Sequence, residues 1–214
     1  MKKLFLLVVL WLSLLTGIQA QFPKAIFPGD YPDPSILRDG KDYYMTHSPF
    51  CYAPGLLIWH STDLLHWEPV CRALAEYEAS IWAPDLLKYQ NRYYIYYPTS
   101  TGENFVIYAD NIRGPWSKPV KLDVKGIDPG HVVGEDGKRY LFTNNGWITP
   151  LSDDGLKVTG KSRKVYDGWE YPANWVTEGK DIYLESPKLL YKDGYYYMMS
   201  AEGGTAGPAT SHMC

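Results

Sequence analysis

Cysteine is scarce in this 214-residue chain: Cys51, Cys71 and Cys214 are the whole complement. Three thiols cannot staple a small scaffold, so stability must come from a buried core, which a chain of this length can build. Cys51 and Cys71 flank one hairpin region and could pair in an oxidising compartment, although spacing alone does not decide their geometry. The histidines, His47, His60, His66, His131 and His212, share no ligand spacing with the cysteines, so a Cys/His metal site has no support. A GxxxxGK phosphate loop and a G-x-S-x-G nucleophile elbow are both missing. Charge never gathers into a block of one sign, and the net charge is −3, which argues against nucleic acid as a partner. Long apolar runs are missing too, with one exception. Leu4 to Leu15 follows Met1-Lys2-Lys3 and leads into Gly17–Ala20. That run is too short to span a bilayer and reads as a secretory signal peptide over 1–20. Residues 21–214 are then the exported domain, secreted or periplasmic, with no membrane partner once the signal is removed.

Aromatic residues are abundant, with 19 tyrosines and 8 tryptophans. Most are expected to fill sheet cores, and a minority to line a sugar-sized cleft whose flat walls cover apolar ring faces. Four stretches share one pattern: PDPSILRDGKDYYMTHS, APDLLKYQNRYYIYYPTS, DPGHVVGEDGKRYLFTNNG and ESPKLLYKDGYYYMMSAE. In each, an acid stands beside or near a proline, then come a short apolar strand, a polar turn and an aromatic strand. The lead acids Asp33, Asp85, Asp128 and Glu185 are 52, 43 and 57 residues apart. A period near fifty with several strands per unit predicts an all-β β-propeller, each unit being a blade that starts at its innermost strand.

Blade one is expected over about 33–76, with Ser61–Trp67 closing it and Trp67 packed between sheets. Within that S-x-D-L-x-x-W stretch, hydroxyl and carboxylate should satisfy backbone N–H groups. Blade two opens at Ala83-Pro84-Asp85 and is expected to end at Gly114-Pro115-Trp116. Blade three opens at Gly126-Ile127-Asp128-Pro129, turns through Gly134–Gly137 and is followed by a polar stretch with a turn at Asp153-Asp154-Gly155. Blade four opens at Glu185-Ser186-Pro187, turns at Lys192-Asp193-Gly194 and runs to a glycine-rich loop, Ala201–Thr205. The chain thus holds about three and a half blades. A propeller hides its sheet edges by closing, so the expectation is a fragment of a longer reading frame, or else dimerisation through the open edge. The oligomeric state stays open.

Asp33 lies between Pro32 and Pro34, which fix the local backbone and suit an acid that must be aimed. Asp128 and Glu185 likewise head inner strands, so the three can face one axial pocket. Hydrolysis of a glycoside needs such a set: a proton donor for the leaving oxygen, a base for water, and a third acid that raises the donor's pKa. The alternative at each is a turn cap.

YPDPS, WAPDL, IDPGHVVGEDGKRY and ESPKLLYKDGYYYMMSAEGGT, four motifs in order, resemble glycoside hydrolase family 43 from about Phe27 to the last residue. The resemblance implies a five-bladed β-propeller, here truncated, and an inverting general acid/base mechanism. It places the base at Asp33, the residue that modulates and orients the donor at Asp128, and the acid at Glu185. Trp82 and Asp85 resemble the element lining the sugar subsite, with Asp85 open between a binding and a structural role. His47 would line the pocket or sit in a turn. No metal ligand and no cofactor are implied, with room left for a structural or pocket calcium in the complete domain. The implied substrate is an oligo- or polysaccharide of plant cell wall, with terminal xylose or arabinose removed. An endo-arabinanase, a non-catalytic carbohydrate-binding propeller and a glycoside phosphorylase are the alternatives, the last disfavoured by the lack of a basic cluster beside Asp33 or Asp128.

Overall fold

Strands form where tyrosine, isoleucine, valine and leucine fall in short runs between turn residues, as in Tyr93-Tyr94-Ile95-Tyr96-Tyr97. The computed structural model describes residues 25–76, 79–168, 184–202 and 212–213. The expected signal segment, Cys214 and the glycine-rich loop beyond Glu202 lie outside the described residues.

Four antiparallel sheets follow one another along the chain. The first is β1 (Ser35–Asp39), β2 (Asp42–Thr46), β3 (Gly55–Ser61) and β4 (Glu68–Leu74). The second is β5 (Asp85–Tyr89), β6 (Arg92–Pro98), β7 (Asn104–Ala109) and β8 (Val120–Leu122). The third is β9 (Gly130–Val133), β10 (Arg139–Thr143), β11 (Trp147–Pro150) and β12 (Arg163–Lys164). The fourth is β13 (Leu184–Lys192), β14 (Tyr195–Glu202) and β15 (His212–Met213). Each sheet is ordered as the chain runs, and its first strand lies innermost, with β1 against β5, β5 against β9 and β9 against β13. This is a partial propeller. The only helical segment among the described residues is a 3-10 turn, Asn144–Gly146.

Tight turns follow from the residues placed there. Between β13 and β14, Asp193 and Gly194 take φ of +53° and +83°, the paired left-handed conformation of a two-residue hairpin turn that Asp-Gly favours. The core lies between blades. On β6, Tyr93, Ile95 and Tyr97 join Leu56, Ile58 and Leu86 on the side of blade one. Tyr94 and Tyr96 on the opposite face join Leu122, Leu141 and Leu151 on the side of blade three. Strand periodicity thus glues one sheet to both neighbours. Completely buried Ile95 and Ile107 each contribute about 1.5–3 kcal/mol by leaving water.

Two local expectations differ from the structure, and the open question of the cysteines is answered. Ser61–Trp67 does not close blade one but turns the chain into β4. As expected, Ser61 Oγ accepts the amides of Asp63 and Leu64, and Asp63 Oδ1 those of Leu65 and His66. Trp67 is half-buried against Phe27 at 5.9 Å between ring centroids, and its indole donates to the Leu64 carbonyl at 3.0 Å. Blade two ends at β8, beyond Trp116, whose indole caps the Ile112 carbonyl at 3.2 Å. Cys51 and Cys71 are both free thiols, and Cys71 donates to the Ile112 carbonyl at 3.3 Å.

Candidate active site

Pro34, Pro84, Pro129 and Pro187 stand at or near the start of the four inner strands. Lacking an N–H, proline cannot extend the ladder inward, and on β13 the register slips between Glu185 and Lys188 to accommodate it. The residues preceding three of these prolines, Asp33, Asp128 and Ser186, have φ of +54°, +57° and +49°. A left-handed conformation costs a non-glycine residue about 1–3 kcal/mol and persists where its surroundings over-determine it, often at functional sites. Aspartate tolerates it better than most because its short side chain bonds locally.

Asp33 and Asp128 therefore occupy equivalent places, each directly before a head proline. Glu185 lies one residue earlier, before Ser186. Asp85 does not belong to this level: it follows its proline, in line with Ser35, Gly130 and Lys188.

Asp33 is exposed, and its Oδ2 accepts the Ser48 hydroxyl at 2.5 Å. The Ser48 amide returns to the Pro32 carbonyl at 3.0 Å, so the end of β2 fixes this acid from both sides. Asp128 is buried, and its Oδ2 accepts the Ser186 amide at 3.2 Å. Its loop is tied down by Asn104 Nδ2 to the Gly126 carbonyl at 2.8 Å and by the Ile127 amide to Asn144 Oδ1 at 3.0 Å. Burial raises the Asp128 pKa and the charge of Asp33 adds to it, while the Ser186 amide and the Lys188 ammonium pull it down. Half-buried Glu185 is also raised, first by burial and then by the charges of Asp128 and Asp33. Three acids from blades one, three and four thus act on one another, and two of them hold protons to higher pH than free carboxyls do.

Blade four approaches closely enough to exclude a side chain at Gly130. A Cβ there would lie 1.9 Å from the Pro187 carbonyl oxygen.

Deeper along the axis, Asp85 Oδ2 accepts the His131 amide at 2.9 Å and Oδ1 accepts Lys188 Nζ at 2.8 Å. His131 Nε2 in turn accepts Arg139 Nε at 2.9 Å, which leaves the imidazole proton on Nδ1. Arg139 is fully buried, with Tyr89 and Tyr94 rings 4.4 and 4.3 Å from its guanidinium carbon. Burial and then the Arg139 charge push the His131 pKa down to about 4.

His47 is buried edge-on to Tyr31, with ring centroids 5.1 Å apart. It lines a concavity of about 780 Å³ with Asp30, Tyr31, Phe50, Trp59 and Arg72. Burial lowers its pKa, and its Nε2 has no hydrogen-bond partner among the described residues. Trp82 is half-buried, and its amide donates to the Pro98 carbonyl at 3.0 Å. Preceding it, Ile81 exchanges both backbone hydrogen bonds with Phe50, so the Trp82 segment adjoins the His47 side of the concavity. No three His, Cys, Asp or Glu side chains converge as metal ligands do among the described residues.

Sequence reasoning missed Phe50, Arg139 and Lys188. Phe50 has a left-handed φ of +47° in a loop, which no pattern in SPFCYAP announces. Arg139 and Lys188 read as ordinary charged residues beside turns.

The sequence model of Glycosyl hydrolases family 43 matches residues 22–214. A xylosidase/arabinosidase of Butyrivibrio fibrisolvens is 34% identical, over 85% of this chain and 38% of its own length. A non-reducing end alpha-L-arabinofuranosidase of Bacteroides ovatus is 32% identical, over 95% of this chain and 40% of its own. The crystal structure of a family 43 protein variant from Bacillus licheniformis superposes with a TM-score of 0.75 at 33% identity, over 90% of this chain and 40% of that one. The chain thus spans about two fifths of the length of these relatives. The chain belongs to glycosyl hydrolases family 43.

Proposed function

We propose that the whole protein is an exported hydrolase that removes terminal xylose or arabinose from plant cell-wall polysaccharide with inversion at the anomeric carbon. Glu185 protonates the leaving oxygen, and Asp33 draws a proton from a water on the opposite face of the sugar. Asp128 keeps Glu185 protonated by its charge and aligned through the Ser186 amide. One observation carries this reading: Glu185 is raised by burial and by the charges of Asp128 and Asp33, and Asp128 by burial and by Asp33, whereas Asp33 is exposed and tied to Ser48. Acid and base need such unlike environments if one is to hold its proton while the other gives its proton up. The relatives' own activities, xylosidase/arabinosidase and non-reducing end alpha-L-arabinofuranosidase, support the substrate class. His47, Trp82 and the aromatic wall of Tyr31, Phe50 and Trp59 would take the sugar.

Release of sugar from aryl β-D-xyloside, aryl α-L-arabinofuranoside and linear arabinan tests this. It should be measured on the 214-residue chain and on the chain extended through its own reading frame, each with its Glu185→Gln variant. Release from an unactivated phenyl glycoside, whose leaving oxygen needs a proton, that Glu185→Gln cuts about 100-fold or more supports it. Internal cleavage of arabinan would replace the exo reading with an endo-arabinanase. Sugar binding without release would leave a binding protein.

A further inference from the structure

Directly after each head proline, the side chains Ser35, Asp85 and Lys188 and the bare Gly130 form a second level beneath the acids. Two of them tie neighbouring blades in the same way. Ser35 Oγ accepts the Leu86 amide at 2.9 Å, joining β1 to β5, and Asp85 Oδ2 accepts the His131 amide at 2.9 Å, joining β5 to β9. The third joint, β9 to β13, cannot be made like this. Gly130 has no side chain to offer, and the close Pro187 carbonyl forbids one. Lys188 makes the joint in reverse. Its Nζ reaches back to the Pro129 carbonyl at 2.9 Å and to Asp85 Oδ1 at 2.8 Å.

Pro129 is bonded to Asp128, and Lys188 is three residues from Glu185 on the same strand. The ammonium therefore spans the joint between the two acids, and Asp85, with a side chain only 11% exposed, is its fixed anchor. From the geometry we infer that Lys188, held by Asp85, is a positioning residue that sets Glu185 against Asp128. This rests on the reading of Glu185 as the acid. Lys188→Met would keep the stem and lose both bonds. Glu185 would then be free to drift by a fraction of an ångström, and Asp85 would be left buried without its cation. Misplacing an acid harms substrates that need protonation and spares those whose leaving group departs unaided.

The test compares turnover of xylobiose, a poor leaving group, with that of a dinitrophenyl glycoside, in wild type, Lys188→Met and the milder Asp85→Asn. Thermal melts on the same samples report folding. The expected result is a kcat loss of about 100-fold on xylobiose but within about threefold on the activated substrate, with KM little changed. Asp85→Asn should show a smaller loss with the same pattern. Equal losses on both substrates, or none, in folded variants would overturn the inference. A wild type silent on both substrates would instead count against the hydrolase reading. In that case, carbon-13 titration of the Asp128 and Glu185 carboxyls decides about Lys188. An upward shift of Asp128 and a displaced Glu185 resonance in Lys188→Met support the positioning role, and unmoved resonances end it.

Discussion

The Ser186 amide donates to Asp128 Oδ2 at 3.2 Å, so the residue that follows the acid of blade four holds the acid of blade three. The two carboxyls are thereby coupled both by charge and through a single peptide unit. Asp128 is nearly dry, and its ionised form is disfavoured by burial and by Asp33.

Asp128→Asn keeps an oxygen for the Ser186 amide and removes the charge. The Glu185 pKa, raised by burial and next by Asp128, should fall. In the proposed mechanism Glu185 acts only when protonated, so the alkaline limb of the kcat/KM profile should move to lower pH. Residual activity would drop by about 10²–10⁴-fold. An alkaline limb that stays in place would show that Asp128 does not govern Glu185.

The same substitution should stabilise the fold. A carboxyl raised in the folded state stabilises fully below its unfolded pKa, near 3.9 for aspartate. That contribution is lost as pH rises through the folded value. Asp128→Asn should therefore melt higher than wild type at pH 7, and the gain should vanish towards pH 4. Melting curves at the two pH values check it.

His131 has the opposite sign. Its folded pKa of about 4 lies below the usual histidine value, so its contribution is present above about 6.5 and is lost as pH falls from there towards 4. By linkage, the window is worth about 3 kcal/mol. His131→Gln can still accept Arg139 Nε through its amide oxygen and does not titrate. The difference in unfolding free energy between wild type and this variant should shrink or reverse between pH 7 and pH 4. Urea titrations across that range would show it, and a constant difference would contradict it.

Gly130→Ala should be more damaging than its size suggests, because its Cβ would strike a backbone carbonyl rather than a pliable side chain. Either β13 recedes, carrying Glu185 and Lys188 with it, or the blade joint opens. A destabilisation of about 1–3 kcal/mol is expected from overpacking, together with loss of activity in the fraction that remains folded. A folded, fully active Gly130→Ala would show that the joint tolerates slack.

The blade heads were legible because an acid beside a proline is a local, physically meaningful pair. The tyrosine-rich strands were legible because alternation and composition agreed. Counting from acid to acid, however, put Asp85 on one level with Asp33 and Asp128. Counting from the prolines puts it one step deeper, with Ser35 and Lys188. The outermost strands β4, β8 and β12 were hidden because they are short, polar or exposed and carry little alternation. Arg139 was hidden for another reason. In Asp-Gly-Lys-Arg-Tyr it looks like a solvated turn cation, and only the rings of Tyr89 and Tyr94, some fifty residues earlier, give it a place to be buried.

The most direct test of the account is the anomeric form of the first sugar released, followed by proton NMR during early turnover of an aryl β-D-xyloside or α-L-arabinofuranoside. With Asp33 delivering water opposite the bond that Glu185 protonates, the first product must have inverted configuration: α-xylose from the β-xyloside, or β-arabinofuranose from the α-arabinofuranoside. Product that first appears with the configuration of the substrate would contradict the assignment of Asp33 as base and require it, or another acid, to act as a nucleophile.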